Sequence, residues 1–225
     1  MGKFIDVTAN DQHEFKAYLA TKPGNDRTIV VVQEAFGVNT HIQRVCDRFA
    51  ENGINAIAPQ VFDRVSRDLV LPYTPEGVAK YQEIRKVLRK EDVVRDVVAA
   101  ADATGDSSVG IVGYCFGGTV AWWAVTESSR FAAASCWYGG GIAEERESRP
   151  NAPVQMHFGS NDSHIPLTSV DGIRAAQPAA EIFVYDGAEH GFGCDERPSF
   201  HSESNALALR RTIDFFRKNV ARQGD

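Results

Sequence analysis

Runs of β-branched and apolar residues alternate along this chain with stretches of helical period. Thr28-Ile-Val-Val-Val-Gln33 has no polar alternation, as expected of a strand covered on both faces in a parallel sheet. Residues 109–113, 131–138, 154–158 and 182–185 are likewise short, apolar and bounded by turn residues, and each predicts a strand. Residues 54–59 read as a further short strand, and the alternation over 15–19 suits an edge strand; the mixed polar residues before it predict no element.

Helices are predicted over 41–52, where Ile42, Val45, Cys46 and Phe49 recur at helical spacing before Gly53, and over 76–90 and 91–104, the latter with Val93, Val94, Val97 and Val98 on one face. Two more are expected over 119–127 and 202–220. Residues 60–75 carry turn residues and charges without a period, which predicts a loop over one end of the sheet that could act as a lid. Residues 139–153 read as a charged loop. This alternation predicts an α/β chain, a mainly parallel, doubly wound sheet with helices on both faces, as a single domain over 1–225.

Composition narrows the function classes. The chain has 225 residues, 43% hydrophobic and 24% charged, with a formal net charge of -6 and no basic cluster, which argues against a nucleic-acid partner. No apolar signal core opens it and no apolar run reaches membrane length, so no membrane partner and a cytoplasmic location are expected. Cys46, Cys115, Cys136 and Cys194 are scattered without C-x-x-C spacing. Neither a disulfide framework nor a zinc cage is predicted, and reduced thiols are the default.

The candidate chemistry centres on Gly113-Tyr-Cys115-Phe-Gly-Gly118, between a predicted strand and a predicted helix. With serine in the middle this would be a nucleophile elbow, whose glycines leave room for a strained turn. With cysteine, the helix N-terminus would favour a thiolate; the same hexapeptide would also serve as a packing turn around a buried thiol. A thiol nucleophile needs a base and an orienting carboxylate. Asp162 follows the strand 154–158 and His190 follows the strand 182–185, giving the nucleophile, acid, histidine order of α/β-hydrolases. Asp162 alone would equally suit an Asx turn. His13, His41, His157, His164 and His201 compete as bases; His157 falls inside a strand and His41 and His201 near helix starts, and His164, close to Asp162, is the rival base.

With these pieces in place the chain resembles the dienelactone hydrolase (carboxymethylenebutenolidase) family over essentially its whole length. The matching segments are Gln33-Glu-Ala-Phe-Gly-Val-Asn39, Gly113 to Gly118, Gly159 to Asp162, and His190-Gly-Phe192. The resemblance implies an α/β-hydrolase fold and a cysteine hydrolase of a small-molecule ester or lactone, with Cys115, His190 and Asp162 as triad. It implies that Glu34 lies beside the thiol and holds it until substrate arrives. An oxyanion hole would come from the backbone amides of Phe116 and Ala35. Phe36, Tyr138 and Tyr81 would line the pocket, whereas Trp122, Trp123 and Trp137 read as core. No cofactor and no metal are expected.

Relatives that open dienelactone hold its carboxylate with arginines, one shortly after the histidine and one before the helix that follows the lid region. Here those places read His190-Gly-Phe-Gly-Cys194 and Pro75-Glu-Gly-Val-Ala-Lys80-Tyr81. Arg64, Arg67, Lys80, His164 and Arg197 are the substitutes on offer, each read as a solvated surface charge. A thioesterase or small peptidase would use the same machinery. A non-catalytic binding protein and a redox sensor resolving Cys115 with Cys136 or Cys194 are the readings from other classes. Monomer and homodimer are both left open.

Overall fold

The computed structural model describes residues 2–223. Its sheet has eight strands: β1 (Lys3–Thr8), β2 (Glu14–Ala20), β3 (Thr28–Val32), β4 (Asn55–Pro59), β5 (Val109–Tyr114), β6 (Phe131–Trp137), β7 (Val154–Gly159) and β8 (Glu181–Tyr185). Their spatial order is β1-β2-β4-β3-β5-β6-β7-β8. The β1–β2 and β2–β4 pairs are antiparallel and every other pair is parallel, which is the α/β-hydrolase arrangement. β3 and β5 are fully buried, and each Ile or Val so covered contributes about 1.5–3 kcal/mol relative to exposure.

Among the described residues six α-helices flank the sheet: α1 (Thr40–Glu51), α2 (Pro75–Val87), α3 (Lys90–Asp102), α4 (Phe116–Glu127), α5 (Leu167–Ala176) and α6 (Ser202–Asn219). α1 and α6 share one face, where Phe49 meets Phe216 edge-on at 6.5 Å, and α3 packs beside α4. The chain leaves β3 toward β4 on one side and later places β5 on the other side of β3. The crevice at that reversal is where open α/β sheets assemble ligand sites. Among the described residues no helix is long and apolar enough to cross a membrane.

Three expectations are corrected. The edge strand is β1 rather than residues 15–19, which belong to β2 and are paired on both sides. β1 carries no apolar alternation of its own to read, because it buries only Val7. α5 was not predicted: it buries only Val170 and Ile173 and contains Gly172, too little for a periodic signal. Residues 60–75 are not all loop: a 3-10 turn spans Val61–Arg64, and the segment is hydrogen-bonded to its neighbours. Asp63 accepts from the Lys16 amide at 3.1 Å and the Asp68 amide at 2.9 Å, and Leu71 N donates to Phe36 O at 3.0 Å.

Candidate active site

Cys115 sits where β5 turns into α4, with φ 55° and ψ -114°, a left-handed conformation that costs a non-glycine residue on the order of 1–3 kcal/mol. The neighbouring glycines make the turn possible. A Cβ on Gly113 would strike the Gly117 carbonyl, and one on Gly117 would strike the Val32 and Gln33 carbonyls. The Cys115 amide donates to Trp137 O at 3.0 Å, and its carbonyl accepts from Gly118 N at 3.0 Å. The sulfur is thereby presented at the positive end of α4.

The loops after β7 and β8 bring the other two groups to it. They are tied together by Ser160 N donating to Tyr185 O and Asn161 N to Ala188 O, both at 2.9 Å. Asp162 Oδ2 lies 2.8 Å from His190 Nδ1, and His190 Nε2 lies 3.2 Å from Cys115 Sγ. Burial disfavours the His190 imidazolium, but the hydrogen bonds to Asp162 and Cys115 outweigh it and lift its pKa to about 10. The Asp162 carboxyl is held below its ordinary value, because the His190 hydrogen bond overcomes the cost of burial.

His190, not His164, is the histidine hydrogen-bonded to Cys115. Its ring stands edge-on to His190 at 5.0 Å on the cavity wall. His157 lies within β7, bonded to Tyr185, Gln155 and Thr212, and burial with Arg211 nearby lowers its pKa to about 3.

Cys115 and His190 open into a cavity of about 380 Å³ walled by Ala35, Phe36, Tyr81, Phe116, Trp123 and Arg85, with Arg197 at one side. Neither the Phe116 nor the Ala35 amide donates a hydrogen bond among the described residues, and Phe116 opens α4, where helical amides have no intrahelical partner. Phe36 and Tyr81 line the cavity as expected, but Tyr138 does not. It is fully buried with φ 37°, its ring edge-on to His190 at 5.3 Å, so it backs His190 and lies off the cavity wall. Trp122 and Trp137 are core, whereas Trp123 reaches the cavity.

Arg197 is not a solvated surface charge. It is largely buried, with Nη1 3.7 Å from Glu34 Oε1 and its guanidinium 5.9 Å from the Phe36 ring centre. Arg85, which no motif marks, lies above Phe116 and Trp123 at 5.6 and 5.1 Å. It follows Tyr81 by four residues on α2, a spacing that puts both on one face and could have revealed it. Arg64 is engaged in ion pairs with Asp11 and Asp96, both at 2.6 Å, while Arg67 and Lys80 are exposed and outside the cavity lining.

Glu34 is 1% exposed and its carboxylate accepts no hydrogen bond. The sulfur is hydrogen-bonded to His190 rather than to Glu34, so the thiol is turned to the imidazole. All four cysteines are free. Burial raises the thiols of Cys136 and Cys194, the latter to about 12 with Glu34 adding to the effect, which makes both poor redox partners.

An eight-stranded sheet of this order, with cysteine at the elbow and acid and histidine at the next strand ends, defines an α/β-hydrolase. The family model described as the dienelactone hydrolase family matches residues 15–220, and the chain belongs to that family. It is 34% identical to a putative carboxymethylenebutenolidase of Yersinia pestis, over 90% of this chain and 83% of that protein. It is 30% identical to another from Synechocystis sp., over 94% of each. Among solved structures, a putative dienelactone hydrolase from Klebsiella pneumoniae superposes with a TM-score of 0.82 at 28% identity, covering 97% of this chain and 99% of that one. The chain is accordingly a hydrolase acting on ester or lactone bonds.

Proposed function

We propose that the chain hydrolyses a small ester or lactone by covalent catalysis on Cys115. The observation that carries this reading is the continuous line Asp162, His190, Cys115, at 2.8 and 3.2 Å, ending on the wall of the cavity. Cys115 Sγ attacks the carbonyl carbon, and the Phe116 and Ala35 amides receive the developing oxyanion, a stabilisation of about 3–4 kcal/mol for a well-placed donor. The carbon–oxygen bond to the leaving group breaks, and His190 Nε2 gives that oxygen its proton. Water then attacks the thioester, His190 takes its proton, and the carbon–sulfur bond breaks to release the acid. Asp162 holds the imidazole in the tautomer and orientation that serve both steps.

The raised pKa of His190 supports a proton resting on the imidazole with the sulfur as nucleophile. For Glu34 the proposed role is that of alternative partner to the thiol, its free carboxylate oxygens and Arg197 giving an anionic substrate a means of altering the balance. The cavity wall carries Arg85 and Arg197 alongside Glu144 and Glu145, the latter paired with Lys90 at 2.6 Å, and the two arginines are the groups offered to a substrate carboxylate.

The test is turnover of activated aryl esters alongside carboxylated and uncharged unsaturated lactones, by wild type and by Cys115→Ala under reducing conditions. Wild type is expected to hydrolyse members of the set, with carboxylated lactones preferred, and Cys115→Ala to lose at least about 10³-fold in rate. Equal rates in the two proteins would remove the cysteine mechanism. A thiol that reacts with alkylating agents while no ester turns over would favour a binding role.

A further inference from the structure

Glu34, His41 and Cys194 stand far apart in the chain, yet one ligand atom from each lies within 4.8 Å of the others, and all three residues are buried. None lines the catalytic cavity. Both Glu34 oxygens and His41 Nε2 lack hydrogen-bond partners, and the Arg197 guanidinium stands no closer to Glu34 than 3.7 Å. A buried carboxylate without hydrogen bonds costs several kcal/mol; Arg197 offsets part of its charge from 3.7 Å but makes no hydrogen bond to it, so both oxygens stay open to a further cation.

The surrounding residues are arranged as they are around a metal ligand. His41 Nδ1 is 3.0 Å from Asp195 Oδ1, which also accepts from Arg44 Nη2 at 2.9 Å. With Nδ1–H donating to Asp195, Nε2 carries the lone pair; a carboxylate that fixes the tautomer in this way is the usual support of a ligating histidine. The Cys194 thiol donates to the Tyr73 hydroxyl at 3.3 Å, and that hydroxyl accepts from Asn39 Nδ2 at 2.8 Å. Were the thiol ionised, Tyr73 could turn its own proton to the sulfur and still accept from Asn39.

We propose that Glu34, His41 and Cys194 form a binding site for a divalent transition-metal ion of the zinc class. One oxygen, one nitrogen and one sulfur ligand make a borderline-soft set that suits Zn²⁺ or Co²⁺ and not Mg²⁺ or Ca²⁺. Ligands 2.0–2.3 Å from a tetrahedral ion stand about 3.5 Å from one another, so closing the cluster takes side-chain shifts on the order of 1 Å. On binding, the ion takes the place of the Cys194 thiol proton, which leaves to buffer. The Glu34 carboxylate and Cys194 thiolate then neutralise the dication. The ligand set excludes Cys115, but an ion held there would occupy the Glu34 carboxylate that is otherwise the proposed alternative partner of the thiol.

Protein dialysed against chelator and then titrated with Co²⁺ tests it, read as thiolate-to-cobalt charge-transfer absorption and as bound metal per chain. One equivalent carrying the thiolate band is expected in wild type and in Cys115→Ala, no thiolate band in Cys194→Ser, and affinity at least about tenfold weaker in Asp195→Asn, which changes only the outer support of His41. Absence of binding in wild type overturns the proposal, as does a thiolate band that vanishes with Cys115 or persists without Cys194. If Cys194→Ser does not fold, wild-type binding together with the Cys115→Ala and Asp195→Asn results still decides the matter.

Discussion

His190 Nδ1 lies 2.8 Å from Asp162 Oδ2, while the other oxygen of the same carboxylate accepts from the His164 and Ile165 amides at 2.8 and 3.1 Å. One side chain therefore bonds the His190 imidazole and also anchors the loop on which Asp162 itself sits. The two roles separate by substitution. Asp162→Asn keeps an acceptor for the loop amides but loses the charge, and should lower kcat by roughly 10³–10⁴-fold with little change in thermal stability. Asp162→Ala should lose activity and also melt earlier. Equal melting temperatures for the two variants would remove the anchoring role.

Arg197 faces both Glu34 and the cavity. If it receives a substrate carboxylate, a charge-assisted hydrogen bond is worth about 1.5–3 kcal/mol. Arg197→Met should then reduce the kcat/KM preference for carboxylated over uncharged lactones by roughly tenfold or more. An unchanged ratio, with both substrates slowed equally, would assign Arg197 to holding Glu34 alone.

What was legible in the chain follows from how local each constraint is. The elbow could be read from six residues because Gly113 and Gly117 are demanded by backbone approaches within that segment and to β3 next to it. Asp162 and His190 could be read because strand ends are predictable and the sheet order fixes what meets there. Arg197 could not. Its position depends on the turn after His190 folding back, with His201 N donating to Phe192 O at 3.1 Å and a Cβ on Gly191 meeting the Arg197 guanidinium. The Glu34, His41, Cys194 cluster was still less visible, because it joins the start of α1 to a loop about 150 residues later and no sequence spacing marks it.

The elbow makes its own stability prediction. A methyl on Gly113 would meet the Gly117 carbonyl, a backbone atom that cannot rotate away. Gly113→Ala should cost about 3 kcal/mol or more, at or beyond the upper end for overpacking. The same change at Gly105, where nothing lies within 4 Å but φ is 75°, should cost only the backbone strain, about 1 kcal/mol. Denaturant midpoints of the two variants check the contrast, and a tolerated Gly113→Ala would mean that the turn can relax.

His157 supplies a pH dependence whose sign can be worked out. Burial and Arg211 lower its pKa to about 3, against about 6.5 in an unfolded chain. Above pH 6.5 the ring is neutral in both states and contributes no pH dependence. As pH falls from 6.5 toward 3 the unfolded state takes up a proton that the folded state refuses, so stability drops by up to about 1.4 kcal/mol per pH unit. His157→Gln removes the titrating ring but can still bond to Tyr185 or Thr212, the present partners. It should lose stability at pH 7 through imperfect replacement of those bonds, yet show a shallower decline between pH 6.5 and pH 4. Unfolding free energies of the two proteins across that range decide it; parallel curves would mean that His157 protonates in the folded state and that the acid sensitivity lies elsewhere.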